Sequence, residues 1–143
     1  MNDRYLFKAK RIDNGEWVEG HLITDEQNKD KYFIGYVFGT NDDGTPHDFD
    51  VVAVDPSTIC QCTGKEDVNC NLIFEHDVVS FLDATSTENG YSERWQVGEV
   101  LWDDETISFQ VTNRLSAESY EVLDECLVIG NIFDNPELLE VGE

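Results

Sequence analysis

The chain has 143 residues, of which 40% are hydrophobic and 11% aromatic, so its composition suits one compact domain or two small halves and excludes a disordered chain. It carries 31 acidic and 9 basic residues, for a formal net charge of -22. Such a charge repels phosphate backbones and anionic lipids, which argues against direct nucleic-acid or membrane binding. It could attract a basic partner or imitate DNA towards a DNA-binding protein, but the favoured interpretation of the charge itself is that it keeps the protein soluble.

Short apolar runs between turn-forming residues predict β-strands throughout the first half of the chain. The predicted strands span residues 5–12, 16–23, 32–38, 49–54 and 59–63. Asn14-Gly15 predicts a hairpin turn between the first two strands. Gly35 predicts a bulge or a close backbone approach in the third, and residues 39–48 predict a loop. We expect an N-terminal β subdomain over about residues 1–62.

The second half is predicted to form a small barrel over about residues 72–133. Its patterns predict strands, a polar loop and a segment that could be either a strand or a helical turn. The strands are 73–81, 95–102, 106–111 and 126–132, the loop is 83–94, and the ambiguous segment is 116–123. Asn135 and Pro136 predict the start of a short helix. The fold class is therefore all-β, with two small barrel-like subdomains, the second SH3-like, and a short C-terminal helix.

Four cysteines are the first candidate site. Zinc could be bound by Cys60, Cys62 and Cys70, with either His76 or Cys126 as the fourth ligand. Their spacing is tighter than the paired ligands of zinc modules, and free cysteine is among the most buried residues. Small buried side chains are therefore the favoured interpretation, and no metal or cofactor is expected. The chain begins without an apolar signal segment, so free thiols in a reducing cytoplasm are expected.

A calcium loop is suggested by the alternation of Asp67, Asn69 and Asn71. A calcium loop of the EF-hand type also needs glycine at its sixth place and glutamate at its twelfth, where this chain has Leu72 and Val78. The favoured interpretation is a tight turn whose side chains bind the local backbone.

A catalytic cluster is suggested by Glu75-His76-Asp77, which offers acid and base groups side by side. In a continuous strand, Glu75 and Asp77 would share one face and His76 would point away from both. We therefore expect no catalytic role for these residues and no enzyme activity.

Three tryptophans are candidates for an interaction surface, because tryptophan is enriched at binding hot spots. Trp17, Trp95 and Trp102 each lie in an alternating segment. Packing in the core or on a sheet face is favoured for them.

Three blocks of the chain resemble one protein family. The central block carries these spaced residues: Thr58, Gln61, Thr63, Gly64, Asp67, Asn69, Ile73, Glu75, Asp77, Val78 and Val79. This pattern resembles the core motif of the YopX family of phage and prophage proteins. Residues 7–10 and 15–20 resemble its N-terminal pattern, and residues 129–139 its C-terminal signature. The chain differs from this pattern at two positions, where Cys70 and His76 stand in place of residues that are usually glycine.

The resemblance implies an all-β fold, an origin in a bacteriophage or prophage, and possible homo-oligomerisation. It implies no activity and no catalytic, ligand or metal residues. The expected function is that of an accessory protein in the bacterial host cytoplasm that binds a basic host or phage protein. The alternatives are a structural homo-oligomer, such as a ring or virion component, and a small metal-binding protein or enzyme.

Overall fold

The computed structural model describes residues 3–113, 118–121 and 126–140. These residues form β-strands, two short 3₁₀ turns and one short α-helix, which confirms the predicted all-β class. The chain divides into two compact units, Met1–Cys62 and Thr63–Glu143.

Unit 1 is an antiparallel sheet. Its strands are β1 (Phe7–Lys10), β2 (Trp17–Thr24), β3 (Tyr32–Thr40), β4 (Pro46–Val54) and the start of β5 (Cys60–Glu66). The order across the sheet is β4-β3-β2-β1-β5. The predicted hairpin at Asn14-Gly15 is confirmed, because Lys10 pairs with Trp17 and Gly15 has a φ of 73°. The loop predicted over 39–48 is shorter, since β3 and β4 extend their pairing to Thr40 and Pro46.

The core of unit 1 lies on one face of this sheet, and its buried residues are Ala9, Ile34, Val52 and Val54. An isolated bridge between Arg11 and Val54 brings the end of β4 back to the end of β1. The sheet is therefore strongly curled, but over the described residues it does not close into the barrel-like subdomain expected from the sequence.

Unit 2 holds the second sheet, in the order β10-β9-β8-β7-β11. Its elements are β6 (Leu72–Phe74), β7 (Asp77–Thr87), β8 (Gly90–Asp103), β9 (Ser108–Asn113), β10 (Glu118–Glu121), β11 (Leu127–Asn131) and α1 (Glu137–Glu140). The second half of β5 crosses into this unit, where β6 is its neighbour. The short C-terminal helix is confirmed. The side chain of Asn135, which was predicted to stand at its start, accepts a hydrogen bond from Asn131 N, with Asn135 Oδ1 at 3.3 Å. In the described strands this sheet is also open, so the SH3-like barrel is not formed.

Three further boundaries differ from the sequence predictions. The polar loop predicted over 83–94 is instead a long hairpin, in which Thr87 pairs with Gly90, because polar strands can pair along one edge without an apolar pattern. The strand β5 continues past Gly64, which was predicted to end it and has a φ of 85°. The strand predicted over 73–81 is broken by a turn at residues 75–76. Residues 114–117 and 122–125 lie outside the described residues, and between them the ambiguous segment forms β10.

Three turns of unit 2 place a non-glycine residue in the left-handed backbone region, at Cys70, His76 and Ile107. Cys70 has a φ of 64° and His76 a φ of 70°. Glycine adopts this conformation most easily, and it is the residue that the resemblance implied at both positions, Cys70 and His76. An L-residue with a side chain costs about 1 kcal/mol or more in this region.

Replacing Cys70 by glycine should therefore stabilise the protein. We expect the free energy of unfolding to rise by about 0.5–1 kcal/mol, because the strain at Cys70 is relieved while its exposed side chain loses little packing. Urea denaturation measures this. The matched control is Cys70→Ala, which removes the thiol but keeps the strained conformation, and a gain of equal size in that variant would contradict the explanation.

Candidate functional site

The turn between β6 and β7 gathers the charged residues that the sequence singled out. Its backbone is fixed on both sides, because the N–H of His76 donates to Val100 O at 2.7 Å and the carbonyl of His76 accepts from Ile132 N at 3.1 Å. Within the turn, the N–H of Phe74 donates to Asp77 Oδ2 at 2.8 Å. The turn is therefore held by β8, by the segment after β11 and by its own buried carboxylate.

The side chain of His76 points at a buried acid of β8. His76 Nδ1 lies 2.9 Å from Glu99 Oε2, and Glu99 is only 3% exposed. The rings of His76 and Phe133 pack edge to face, with their centroids 5.8 Å apart. The hydrogen bond to Glu99 raises the pKa of His76, burial opposes the shift, and the charges of Glu75, Glu99 and Asp77 add to it. When it is protonated, His76 serves as a counter-ion of Glu99.

The strand geometry expected for Glu75, His76 and Asp77 is wrong. Because Glu75 and His76 form a turn, the alternation of a strand does not separate them, and His76 Nε2 lies 3.9 Å from Glu75 Oε2. Asp77 is the first residue of β7 and is 2% exposed, with its carboxylate on the backbone of the turn. The acids and the histidine do come together, but they hold the turn in place.

The carboxylate of Asp67 binds the backbone of its own turn, as the sequence predicted. Its Oδ1 accepts from the N–H groups of Asn69 and Asn71, both at 2.9 Å, and its Oδ2 accepts from Val128 N at 3.0 Å. Burial by itself would raise the pKa of Asp67, but these backbone donors, Val128 first, outweigh burial and lower it. Both carboxylate oxygens of Asp67 therefore bind the protein backbone.

The four cysteines lie in different surroundings. Cys60 and Cys62 are fully buried in β5, and Cys126 is buried in the core cluster of unit 2. The prediction of small buried side chains is confirmed for these three and is wrong for Cys70, which is exposed in its turn. Over residues 3–113, 118–121 and 126–140, no three His, Cys, Asp or Glu side chains are placed to hold a metal ion.

Thiol chemistry should separate these two classes of cysteine. In the native protein we expect one of the four thiols, Cys70, to react rapidly with a disulfide reagent, because the others have no access to solvent. The matched variant Cys70→Ala should lose the rapid phase, and denaturant should release three slow thiols in both proteins. A rapid phase that persists in Cys70→Ala would contradict the assignment.

The tryptophans lie on sheet faces. Trp17 is half-buried beneath the ammonium groups of Lys8 and Lys10, which lie 5.0 and 5.4 Å from its ring centroid. Trp95 is 64% exposed and Trp102 is 44% exposed, so the alternative of core packing is wrong for these two.

A family model described as YopX protein matches residues 6–140, which is nearly the whole chain. The chain belongs to the YopX protein family. No curated protein matches the chain significantly. Within the part of this YopX protein that the structure describes, no helix is long and apolar enough to span a membrane.

Glu99 is the member of the cluster in this YopX protein that sequence reasoning missed. It is a lone carboxylate in the apolar run of β8, between Gly98 and Val100. A charged residue at such a position is seldom buried without a partner, and this is the signal that could have revealed it.

Proposed function

We propose that this YopX protein is a phage- or prophage-derived accessory protein that acts, without catalysis, by binding a basic protein in the bacterial host cytoplasm. The observation that carries the proposal is the net charge of -22. Long-range repulsion at this charge selects against anionic partners and accelerates encounter with cationic ones.

The distribution of acids supports the same conclusion. Among the acidic side chains that the structure describes, three are buried, namely Asp67, Asp77 and Glu99. These three have structural partners in unit 2 and are not available to a ligand. The other described acids are exposed or half-buried, where they contribute to the field met by an approaching protein.

Affinity capture tests this function. The immobilised full chain is exposed to host lysate at about 50 mM salt, where exposed charges are weakly screened. We expect a protein with a basic surface that is retained by this chain and not by a control protein of similar size and charge. The purified partner should then bind in solution, with an affinity that falls as salt rises. Recovery of no such protein would refute the proposal.

A finer version of the proposal is DNA mimicry, in which exposed carboxylates take the place of phosphates. It requires that the captured partner bind DNA and that duplex DNA compete with this chain for it. A partner that binds DNA and this chain at the same time would exclude mimicry while leaving the binding function intact.

A further inference from the structure

Unit 1 exposes an apolar sheet face on the side opposite its core. Cross-strand pairing places Ile23 beside Phe33 and Val37 beside Phe49 on this face, with Val51 opposite Gly35. We call these five side chains, Ile23, Phe33, Val37, Phe49 and Val51, the outer face. All but Phe33 are between 40% and 63% exposed.

The outer face is continuous across three strands. A Cβ atom on Gly35 would lie 2.6 Å from Ile23 Cδ1 and 3.5 Å from Val51 Cγ2, so these two side chains close over the glycine and join β2 to β4. Single exposed apolar residues are normal on a protein surface, whereas contiguous apolar patches mark interaction sites.

The outer face ends at a strand edge whose backbone is directed outwards. β4 is an end strand of its sheet. Alternate residues of β4 point their backbone groups away from β3, as shown by Ala53 O, which accepts from Ile12 N at 3.1 Å. The backbone groups of Phe49 and Val51 also point away from β3. Val51 N donates to the carboxylate of Asp50 at 2.9 Å. The end of β4 is already paired with the segment after β1, so a new strand would find donors and acceptors along the part of the edge that precedes Ala53.

The charge on β4 indicates which strand would fit. Phe49 and Val51 project on the outer face, whereas the intervening Asp48 and Asp50 project on the other side and are exposed. A strand added to the edge places its own alternate residues next to these two sets. Apolar residues are complementary to Phe49 and Val51, and lysine or arginine to Asp48 and Asp50.

A second copy of the chain fits this edge poorly. An antiparallel pairing of β4 with its own copy brings Asp48 and Asp50 close to the same acids of the partner, which is destabilising. Each copy also carries a net charge of -22.

We propose that the edge of β4 and the outer face bind an extended polypeptide segment in which basic and apolar residues alternate. The segment adds as a strand beside β4, its carbonyl replaces the Asp50 carboxylate at Val51 N, and its basic side chains pair with Asp48 and Asp50. This inference rests on the proposed function, because it assigns the surface and the chemistry by which a basic partner is recognised.

Peptide binding to the full chain tests the inference. The probe is a fluorescent octapeptide of alternating lysine and valine, and its control has four lysines followed by four valines. We expect the alternating peptide to bind at least about tenfold more tightly than the block peptide, because only alternation matches the two sides of β4. Fluorescence polarisation measures both affinities.

Three variants locate the binding site. Val51→Pro removes an N–H that points to the open edge and not to β3, so it blocks strand addition with little harm to the sheet. We expect this variant, and the combined change Asp48→Asn with Asp50→Asn, each to weaken the alternating peptide by about tenfold or more. If Val51→Pro does not fold, Phe49→Thr removes outer-face contact and keeps strand propensity. The control is Ile129→Thr, an exposed apolar residue of unit 2, which should change nothing.

Several results would overturn the inference. These are equal binding of the two peptides, no binding of either, or unchanged binding by Val51→Pro and by Phe49→Thr. A concentration-dependent dimer that Val51→Pro dissociates would show that a second copy occupies the edge. If a captured basic partner binds Val51→Pro as tightly as the unaltered chain, the inference fails while the proposed function stands. If capture yields no basic partner, the proposed function itself fails.

Discussion

Replacing Asp67 by alanine should lower the free energy of unfolding by about 3 kcal/mol, because hydrogen bonds to a charged acceptor are strong and buried donors are costly to leave unmade. Three backbone N–H groups, those of Asn69, Asn71 and Val128, donate to this one carboxylate. The last of them ties the turn to β11, so the variant loses a long-range contact as well as a local one. Urea denaturation measures the loss.

Two variants control this experiment. Asp67→Asn keeps the shape but places an amide N–H₂ where one oxygen accepted, so it should be destabilised to an intermediate degree. Asp30→Ala removes an exposed acid and should leave the urea midpoint unchanged. If Asp67→Ala were no less stable than Asp30→Ala, the three hydrogen bonds of Asp67 would not contribute to the stability of the fold.

The stabilisation by Asp67 should also depend on pH. Its pKa is lowered in the folded protein, so its contribution is fully present above the unfolded value of about 3.9 and is lost as pH falls through the folded pKa. Below about pH 4, the difference in unfolding free energy between the unaltered chain and Asp67→Asn should therefore shrink. A constant difference down to the lowest pH would contradict the assignment.

Replacing His76 by alanine should cost about 2–3 kcal/mol, because the buried carboxylate of Glu99 loses its hydrogen bond to the imidazole. The variant His76→Gly should be about 1 kcal/mol more stable than His76→Ala, since glycine relieves the strain of a positive φ. The two variants thus separate the side-chain contribution from the backbone one. Equal stabilities would show that the backbone at this position is not strained.

A double-mutant cycle with Glu99→Gln measures the pair itself. We expect a coupling of about 1–2 kcal/mol between His76 and Glu99 at pH 6, as for close charged pairs. The exposed His21 provides the control, because His21→Ala and Glu99→Gln should be additive. Additivity of the His76 and Glu99 changes would contradict the proposed ion pair.

The sign of the pH dependence follows from the raised pKa of His76. A histidine whose folded pKa lies above its unfolded value of about 6.5 stabilises fully below that value, and its contribution is lost as pH rises through the folded pKa. Thermal unfolding of the unaltered chain should therefore shift to lower temperature between about pH 6 and pH 9, and His76→Ala should lack this shift.

The sequence predicted most of the strands because their alternation is local. The strand over residues 16–23 and the Asn14-Gly15 turn follow from period-two patterning and turn chemistry, which need only neighbouring residues. The break at residues 75–76 was missed because His76 occupies a left-handed position without being glycine, so the usual mark of a turn is absent.

The candidate site depends on contacts that no local pattern contains. Glu99 is 23 residues from His76 in sequence and meets it only because β7 and β8 pair in one register. The outer face escaped prediction for another reason. β3 is apolar on both sides, so alternation cannot tell which side is buried, and only the packing of Ile34 against Ala9 decides it.

The outer face also bears on the colloidal behaviour of the protein. At neutral pH, we expect electrostatic repulsion between copies to oppose stacking of their apolar outer faces. The large net charge would thus prevent self-association through this surface. This protection disappears near the isoelectric point of about 4.1. Mild acid, or salt high enough to screen the charge, should therefore bring copies together through unit 1 and favour precipitation while the fold is still intact.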